Sequence, residues 1–289
     1  MKALNYYVIY SLLWFFTLPP LWFLYGVSDI FYVIVYNLIG YRKKVTLSNL
    51  KNAFPDKSNN EIYNIAKKFY RHLCDTLIET FKAIHLNEKQ ILKRYKIKNI
   101  ELLQECYMKD KDIVLVSGHY GNWEWMSTLS FHTKYSFLVI YQPLQNKAFD
   151  KIINDLRGKF GFHMVAMTDV YKELLNYVDN KKRVITWFLA DHRPHKSTRF
   201  WIDFLGREVS FHVGAEKIAC KLNHTVVFFN VNKIKRGYYE AEFFKLEENP
   251  NQTEEFGVTT KFVRKLEEII KTKPEYWIWS HRRWKNKKK

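Results

Sequence analysis

Apolar residues fall into three kinds of pattern along the chain, and each predicts a different element. After Ser58-Asn59-Asn60-Glu61, which has the form of a capping box, Ile62, Ile65, Ala66, Phe69, Leu73, Leu77, Ile78 and Phe81 recur at helical spacing. This pattern predicts a long amphipathic helix. Short unbroken apolar runs form the second kind, from Asp112 to Gly118, Ser136 to Tyr141 and Arg183 to Ala190. Runs of that length suit strands buried on both faces of a parallel sheet. Helical patterns lie between them at about 147–160 and 170–178, and again at 212–222 before the apolar run Thr225 to Phe229, with a last helix expected over 253–271. The alternation predicts an α/β fold, a central mostly parallel sheet flanked by helices. Ligands bind beyond the carboxyl ends of the strands in such sheets. His119 lies just past one predicted end and Asp191 just past another, so the two are expected to share a cleft.

The third pattern is the N-terminus. No charged residue occurs from Ala3 to Ser28, and after the single Asp29 the apolar character resumes through Phe31 to Ile39. A hydrocarbon core takes roughly 20 residues to cross, so the stretch is long enough for a membrane anchor helix, with a buried core helix as the alternative. Pro19-Pro20 interrupts it, which leaves open one kinked span or a short segment followed by an interfacial helix. Only Lys2 precedes the run and no small-residue cleavage site follows, unlike a removable signal peptide. Arg42-Lys43-Lys44 comes next, where the positive-inside rule places the cytoplasm. The expected organisation is a membrane anchor at 1–41 and one large domain at 42–289.

Composition bears on partners more than on fold. The 289 residues carry 47 Lys and Arg against 29 Asp and Glu, a formal net charge of +18. A surplus this large acts on an anionic partner, whether nucleic acid, anionic lipid or a phosphorylated substrate. No nucleic-acid-binding motif is present, so nucleic acid is not expected as a partner. Cys74, Cys106 and Cys220 are odd in number, far apart and without a CxxC pair. Neither a disulfide framework nor a zinc knuckle is indicated, no metal site is expected, and the thiols read as reduced core residues.

Acyl transfer to a hydroxyl needs a base, and a neutral imidazole with a pKa near the working pH suits the task. A carboxylate on its other ring nitrogen fixes the tautomer and stabilises the imidazolium that forms. Of the ten histidines, only His119 has an acid five residues later, Glu124, across a Gly-containing turn after a predicted strand. Spacing alone is weak, since such a match arises by chance about once in a chain like this. The surrounding residues carry more. Gly118-His119-Tyr120-Gly121-Asn122-Trp123-Glu124 resembles the signature of the lipid A biosynthesis lauroyl and myristoyl acyltransferase family, which is lysophospholipid acyltransferase-like. Asn49-Leu50 with Ala53-Phe54-Pro55, Tyr141-Gln142-Pro143-Leu144 with Asn146, Arg157 and Gly161, Asp191-His192, Phe204-Leu205-Gly206, and Pro274 to Lys285 resemble further family segments. Ordered matches run from about residue 42 to 285.

The resemblance implies an O-acyltransferase at the bacterial inner membrane, its catalytic domain on the cytoplasmic face. It needs no cofactor: an acyl-carrier-protein thioester is the co-substrate, and a phosphorylated glycolipid, a lipid A precursor, is the acceptor. On the family pattern His119 is the base and Glu124 its orienting partner. Asn122, Arg157 and Asp191 are second-rank substrate-binding candidates. The Arg157 guanidinium would hold an acceptor phosphate or polarise the thioester carbonyl, with Asp191 holding that Arg. A structural ion pair is the plain alternative. Asn122 and Trp123 are expected to shape the turn and the acyl pocket. The Trp- and Arg-rich ending, Trp277 to Trp284, suits a membrane interface with anionic head groups. One departure is the basic loop Arg193-Pro194-His195-Lys196-Ser197, where the family is richer in glycine; it leaves the acceptor and the acyl length open. Two other functions compete: acyl transfer to another membrane lipid, such as an amino-acid lipid or a phosphoinositide mannoside, and a non-catalytic basic membrane-associated binding protein.

Overall fold

In the computed structural model, which describes residues 2–180, 182–194 and 199–286, the N-terminal apolar stretch breaks where the prolines predict. Helix α1 (Lys2–Phe16) ends before Pro19-Pro20, and α2 (Leu21–Tyr32) starts directly after, continuing as a π-helical segment, Val33–Leu38. Pro20 lacks an N–H to lose, so it suits the residue before a helix. Among the described residues, Leu21–Leu38 is the one helical stretch long and apolar enough to cross a membrane by length and composition. His195, Lys196, Ser197 and the closing 287–289 lie outside the described residues.

After α3 (Lys43–Ala53), α4 (Asn59–Lys82) opens on the expected capping box: the Glu61 amide donates to Ser58 Oγ at 3.3 Å and the Ser58 amide to Glu61 Oε2 at 2.8 Å. Together these satisfy two amides that a helix start leaves free. Helix α5 (Glu88–Arg94), strand β1 (Tyr95–Ile97) and helix α6 (Glu101–Met108) lead to β2 (Ile113–Ser117) and a 3₁₀ helix, Trp123–Phe131. Next come β3 (Ser136–Tyr141), α7 (Lys147–Gly158), β4 (Phe162–Ala166), α8 (Val170–Asp179) and β5 (Val184–Leu189). A small hairpin of β6 (Trp201–Phe204) and β7 (Arg207–Ser210) precedes α9 (Gly214–Leu222), β8 (Thr225–Lys235), β9 (Tyr238–Glu247) and α10 (Gly257–Thr272).

Seven strands form one sheet in the order β1-β9-β8-β2-β5-β3-β4, parallel except for the β8–β9 hairpin. The predicted α/β class with a mostly parallel sheet is therefore the fold. Central β2 is buried throughout. Its alternate residues feed two cores, Val114 and Val116 on the face with Phe69, Phe262 and Leu266, and Ile113 and Leu115 on the face with Trp125, Trp187 and Tyr239. Such two-sided burial is why the strands read as unbroken apolar runs. In β2 and β5, Ser117 lies opposite Leu189. The residues just beyond these strand ends, 119 and 191, consequently emerge side by side.

The C-terminal segment departs from expectation. Trp277, Trp279 and Arg283 are at most 1% exposed and pack in the core with Phe204, Phe211 and one another, away from any interface. The most exposed aromatics are at the other end of the chain, where Trp22 is 76% exposed and Phe15, Phe23 and Phe31 also face outward.

Candidate active site

Two glycines shape the turn that follows β2. A Cβ on Gly118 would stand 2.7 Å from Leu266 Cδ1 and 3.3 Å from Asp191 Oδ2, so glycine lets both come this close without either giving way. Gly121 has φ +63°, and a Cβ there would run into the Val231 carbonyl. Left-handed backbone of this kind favours glycine. Asn122 then caps the 3₁₀ helix, its Oδ1 accepting from the Trp125 amide at 3.2 Å. Further tethers hold the turn: the Gly121 amide donates to the Tyr276 carbonyl at 3.1 Å, and His72 Nε2–H donates to the Gly121 carbonyl at 3.2 Å.

His119 and Asp191 meet at the top of this turn. His119 Nδ1–H donates to Asp191 Oδ1 at 2.6 Å, and the His119 amide donates to Asp191 Oδ2 at 2.9 Å. Trp277 Nε1–H donates to the same Oδ2 at 2.8 Å. Burial alone would raise the Asp191 pKa, but His119, through charge and hydrogen bonds, holds it well below the usual carboxylate range. An ionised carboxylate only accepts. Nδ1 therefore carries a proton, and in the neutral imidazole the lone pair is left on Nε2, the arrangement a general base needs.

The imidazole is also fixed by its faces. His192 stacks on it with ring centroids 3.9 Å apart and planes 7° from parallel, His281 stacks on His192 at 4.3 Å, and Trp123 meets His119 edge-on at 5.1 Å. Burial lowers the pKa of His192 to about 3 and that of His281 to about 4, so both stay neutral at ordinary pH. A column with two neutral members can carry one positive charge, on His119, without like-charge repulsion from the others.

Glu124 takes a different partner from the one expected. Arg157 Nε donates to its Oε2 at 2.8 Å and Nη2 to its Oε1 at 2.6 Å, with Trp123 Nε1–H adding 3.0 Å to Oε1. Burial raises the Glu124 pKa, and the Arg157 charge and hydrogen bonds more than reverse this, leaving it below the ordinary value. The carboxylate assignments of the sequence are thus exchanged: Asp191 bonds the base and Glu124 bonds Arg157. Glu124 is the second residue of the 3₁₀ helix and meets the last turn of α7, where Arg157 sits. Asn122 is fully buried with both ends of its amide used inside the protein, Oδ1 on Trp125 and Nδ2 on Glu79 at 2.7 Å. It shapes the turn and has no surface to offer a substrate. Trp277, His192, His281 and Glu79 were not singled out as site residues by the sequence; only the closing Trp-rich resemblance and the Asp-His pair hinted at the first three.

Beside His119 and Glu124 opens a cleft of about 640 Å³, walled by Ile140, Tyr141, Val170, Phe188, Ala215 and Ile218 and with Arg157 at its polar end. This size falls within the range of small-ligand sites, roughly 300–1,000 Å³. Burying an alkyl chain along such walls gains about 0.8 kcal/mol per methylene. A histidine–carboxylate pair at the edge of an apolar slot suits group transfer or hydrolysis on a substrate with a long apolar arm.

The chain belongs to the bacterial lipid A biosynthesis acyltransferase family, whose model matches residues 2–286. It is similar to the lipid A biosynthesis lauroyltransferase of Escherichia coli (strain K12), 22% identical over 249 residues, which cover 85% of this chain and 80% of the relative. The lipid A biosynthesis palmitoleoyltransferase of the same strain is 19% identical over 248 residues, 85% of this chain and 79% of the relative. A lipid A biosynthesis acyltransferase of Shigella flexneri matches to the same extent. Membership makes the protein an acyltransferase of lipid A biosynthesis.

Proposed function

We propose that the protein transfers a fatty acyl chain from an acyl-carrier-protein thioester to a hydroxyl of a phosphorylated lipid A precursor, with His119 as general base and Asp191 as the carboxylate that orients it. The 2.6 Å contact between His119 Nδ1 and Asp191 Oδ1 carries this reading, because it leaves Nε2 as the basic nitrogen beside an apolar cleft. The acceptor hydroxyl gives its proton to Nε2 as its oxygen attacks the thioester carbon. Asp191 stabilises the imidazolium, and the proton then passes to the departing thiolate. Arg157, held bidentately by Glu124, places a fixed positive charge at the cleft wall, where an acceptor phosphate or the developing oxyanion would meet it.

The N-terminal helices support seating on the inner membrane as an interfacial pair in preference to a span. Helix α2 lies along α4: Tyr25 OH donates to Glu79 at 2.8 Å, Ser28 Oγ to Asp75 at 2.8 Å, and the rings of Tyr36 and Tyr70 lie 5.1 Å apart. A spanning α2 would draw Asp75, Glu79 and Arg71 of α4 into hydrocarbon, at high cost. The outward faces of α1 and α2, with Leu12, Phe15, Trp22, Phe23 and Phe31, suit burial a few ångströms deep beneath head groups. Arg42, Lys43 and Lys44 follow where anionic cytoplasmic lipids would attract them.

The test is transfer of a labelled acyl chain from acyl carrier protein, using purified protein in lipid vesicles. Label arriving on a lipid A precursor supports the reading. Label arriving only on another lipid acceptor, or none transferred, contradicts it.

A further inference from the structure

We propose that Glu79 is a positioning residue for acyl transfer, holding the turn that presents His119 and Glu124 in register with the apolar helix α2. The inference rests on the proposed acyl transfer and membrane seating, and its starting point is one fully buried carboxylate. Glu79 is 0% exposed in the last turn of α4. Its Oε2 accepts from Asn122 Nδ2 at 2.7 Å and from Tyr239 OH of β9 at 2.7 Å, and its Oε1 accepts from Tyr25 OH of α2 at 2.8 Å. Its backbone carbonyl accepts from Trp125 Nε1–H at 3.1 Å. One residue therefore grips both Asn122 and Trp125, the cap and third residue of the helix that carries Glu124.

Stability is a poor account of this arrangement. A buried carboxylate is costly to desolvate, and apolar replacements of buried polar networks are often as stable or more so. Three neutral donors at near-ideal distance instead fix geometry, since each direction is set by a separate element. Asn122 Nδ2 can only donate, so the group facing it must accept. The second layer continues the link to α2: Asp75, one turn earlier in α4, binds Ser28, Lys233 and Arg236, and Arg236 also holds Asp29 of α2. Helix α2, whose opposite face is the exposed apolar one, is thus connected to the catalytic turn through two atoms of a single side chain.

The experiment uses the full chain in detergent micelles and compares Glu79→Ala, Glu79→Gln and Tyr25→Phe with the wild type. Amide hydrogen exchange over residues 119–131 is read against exchange in β3 and β4, and kcat and KM are measured with acyl-carrier-protein thioester and lipid A precursor. A misplacement of about 1 Å costs on the order of 10²-fold in rate. Glu79→Ala should accordingly lose about 10²-fold in kcat with KM little changed, and exchange should accelerate in 119–131 but not in β3 and β4. Glu79→Gln should recover most of both, because its amide oxygen still accepts from Asn122 while a tyrosine hydroxyl turns to accept from its NH₂. Tyr25→Phe should accelerate exchange in 119–131 to a smaller extent. Wild-type kcat and exchange in Glu79→Ala, acceleration spread evenly over the sheet, or a Gln variant no better than Ala would overturn the proposal. Unchanged exchange in Tyr25→Phe would overturn the connection to α2. The exchange arm needs no substrate, so it decides the positioning role even if the wild type transfers no acyl chain, a result that would sink the proposed activity alone.

Discussion

Two buried carboxylates flank the active-site cleft, and they hold opposite kinds of partner. Asp191, beyond β5, binds His119, the proposed base; Glu124, on the 3₁₀ helix, binds Arg157, which keeps its charge at any working pH. Both are pulled below the ordinary carboxylate pKa range, against the effect of burial. The difference lies in what each pair can do. The His119–Asp191 pair can accept a proton and stay neutralised, as the proposed base requires. The Glu124–Arg157 pair can only place a fixed charge, which is a binding and scaffolding property. Chain proximity points the other way, since Glu124 is five residues from His119 and Asp191 is 72 away. Sheet register outweighs sequence distance here.

Substitutions sharpen the contrast. His119→Ala removes the proposed base and should lower kcat by about 10²- to 10⁴-fold with the fold intact, measured by single-turnover transfer alongside circular dichroism. Asp191→Asn keeps the shape but loses the charge that stabilises imidazolium, so kcat should fall by on the order of 10²-fold with KM nearly unchanged. Glu124→Gln should act differently, leaving the buried Arg157 guanidinium short of its counter-charge. Breaking a buried pair typically costs about 3–5 kcal/mol, so denaturant unfolding should show a clear stability loss with a smaller change in kcat, roughly tenfold. Trp277→Phe removes one donor to Asp191, a bond to a charged group worth about 1.5–3 kcal/mol, and should lower kcat several-fold while sparing the Glu124 side.

The last expected effect is on pH dependence. Burial depresses His72 and His192 to about 3, against about 6.5 for the unfolded residue. Between these values the unfolded chain binds more protons than the folded one, so stability falls as pH drops below about 6.5, by up to about 1.4 kcal/mol per unit for each. His281, only half-buried, adds less. Melting temperature should therefore drop between pH 7 and pH 5, and His192→Gln should flatten that slope; a slope unchanged by the substitution would remove the histidine column from the account.

Much of this was legible in the sequence. The capping box at Ser58 and the runs at 112–118, 136–141 and 183–190 became α4, β2, β3 and β5 because local pattern and burial agree there. The β8–β9 hairpin and β1 were not, since β9 alternates as a half-buried strand and β1 has only three residues. Ends of equal aromatic richness met opposite fates. At the N-terminus only the face with Tyr25, Tyr32 and Tyr36 meets a partner layer, and Phe15, Trp22, Phe23 and Phe31 stay exposed, whereas Trp277 and Trp279 are drawn inside, Trp277 by the Asp191 carboxylate and Trp279 by the Pro274 carbonyl at 2.6 Å. Asp191 faces His119 through the register of β2 and β5, which spacing in the chain does not encode.

One comparison tests the central claim most directly: single-turnover acyl transfer by Asp191→Asn and Glu124→Gln, side by side, with each variant's folded fraction measured by thermal melting. If Asp191 orients the base, Asp191→Asn is the slower per folded molecule, by about tenfold or more. A slower Glu124→Gln, with Asp191→Asn near the wild-type rate, would contradict the account and return the orienting role to Glu124.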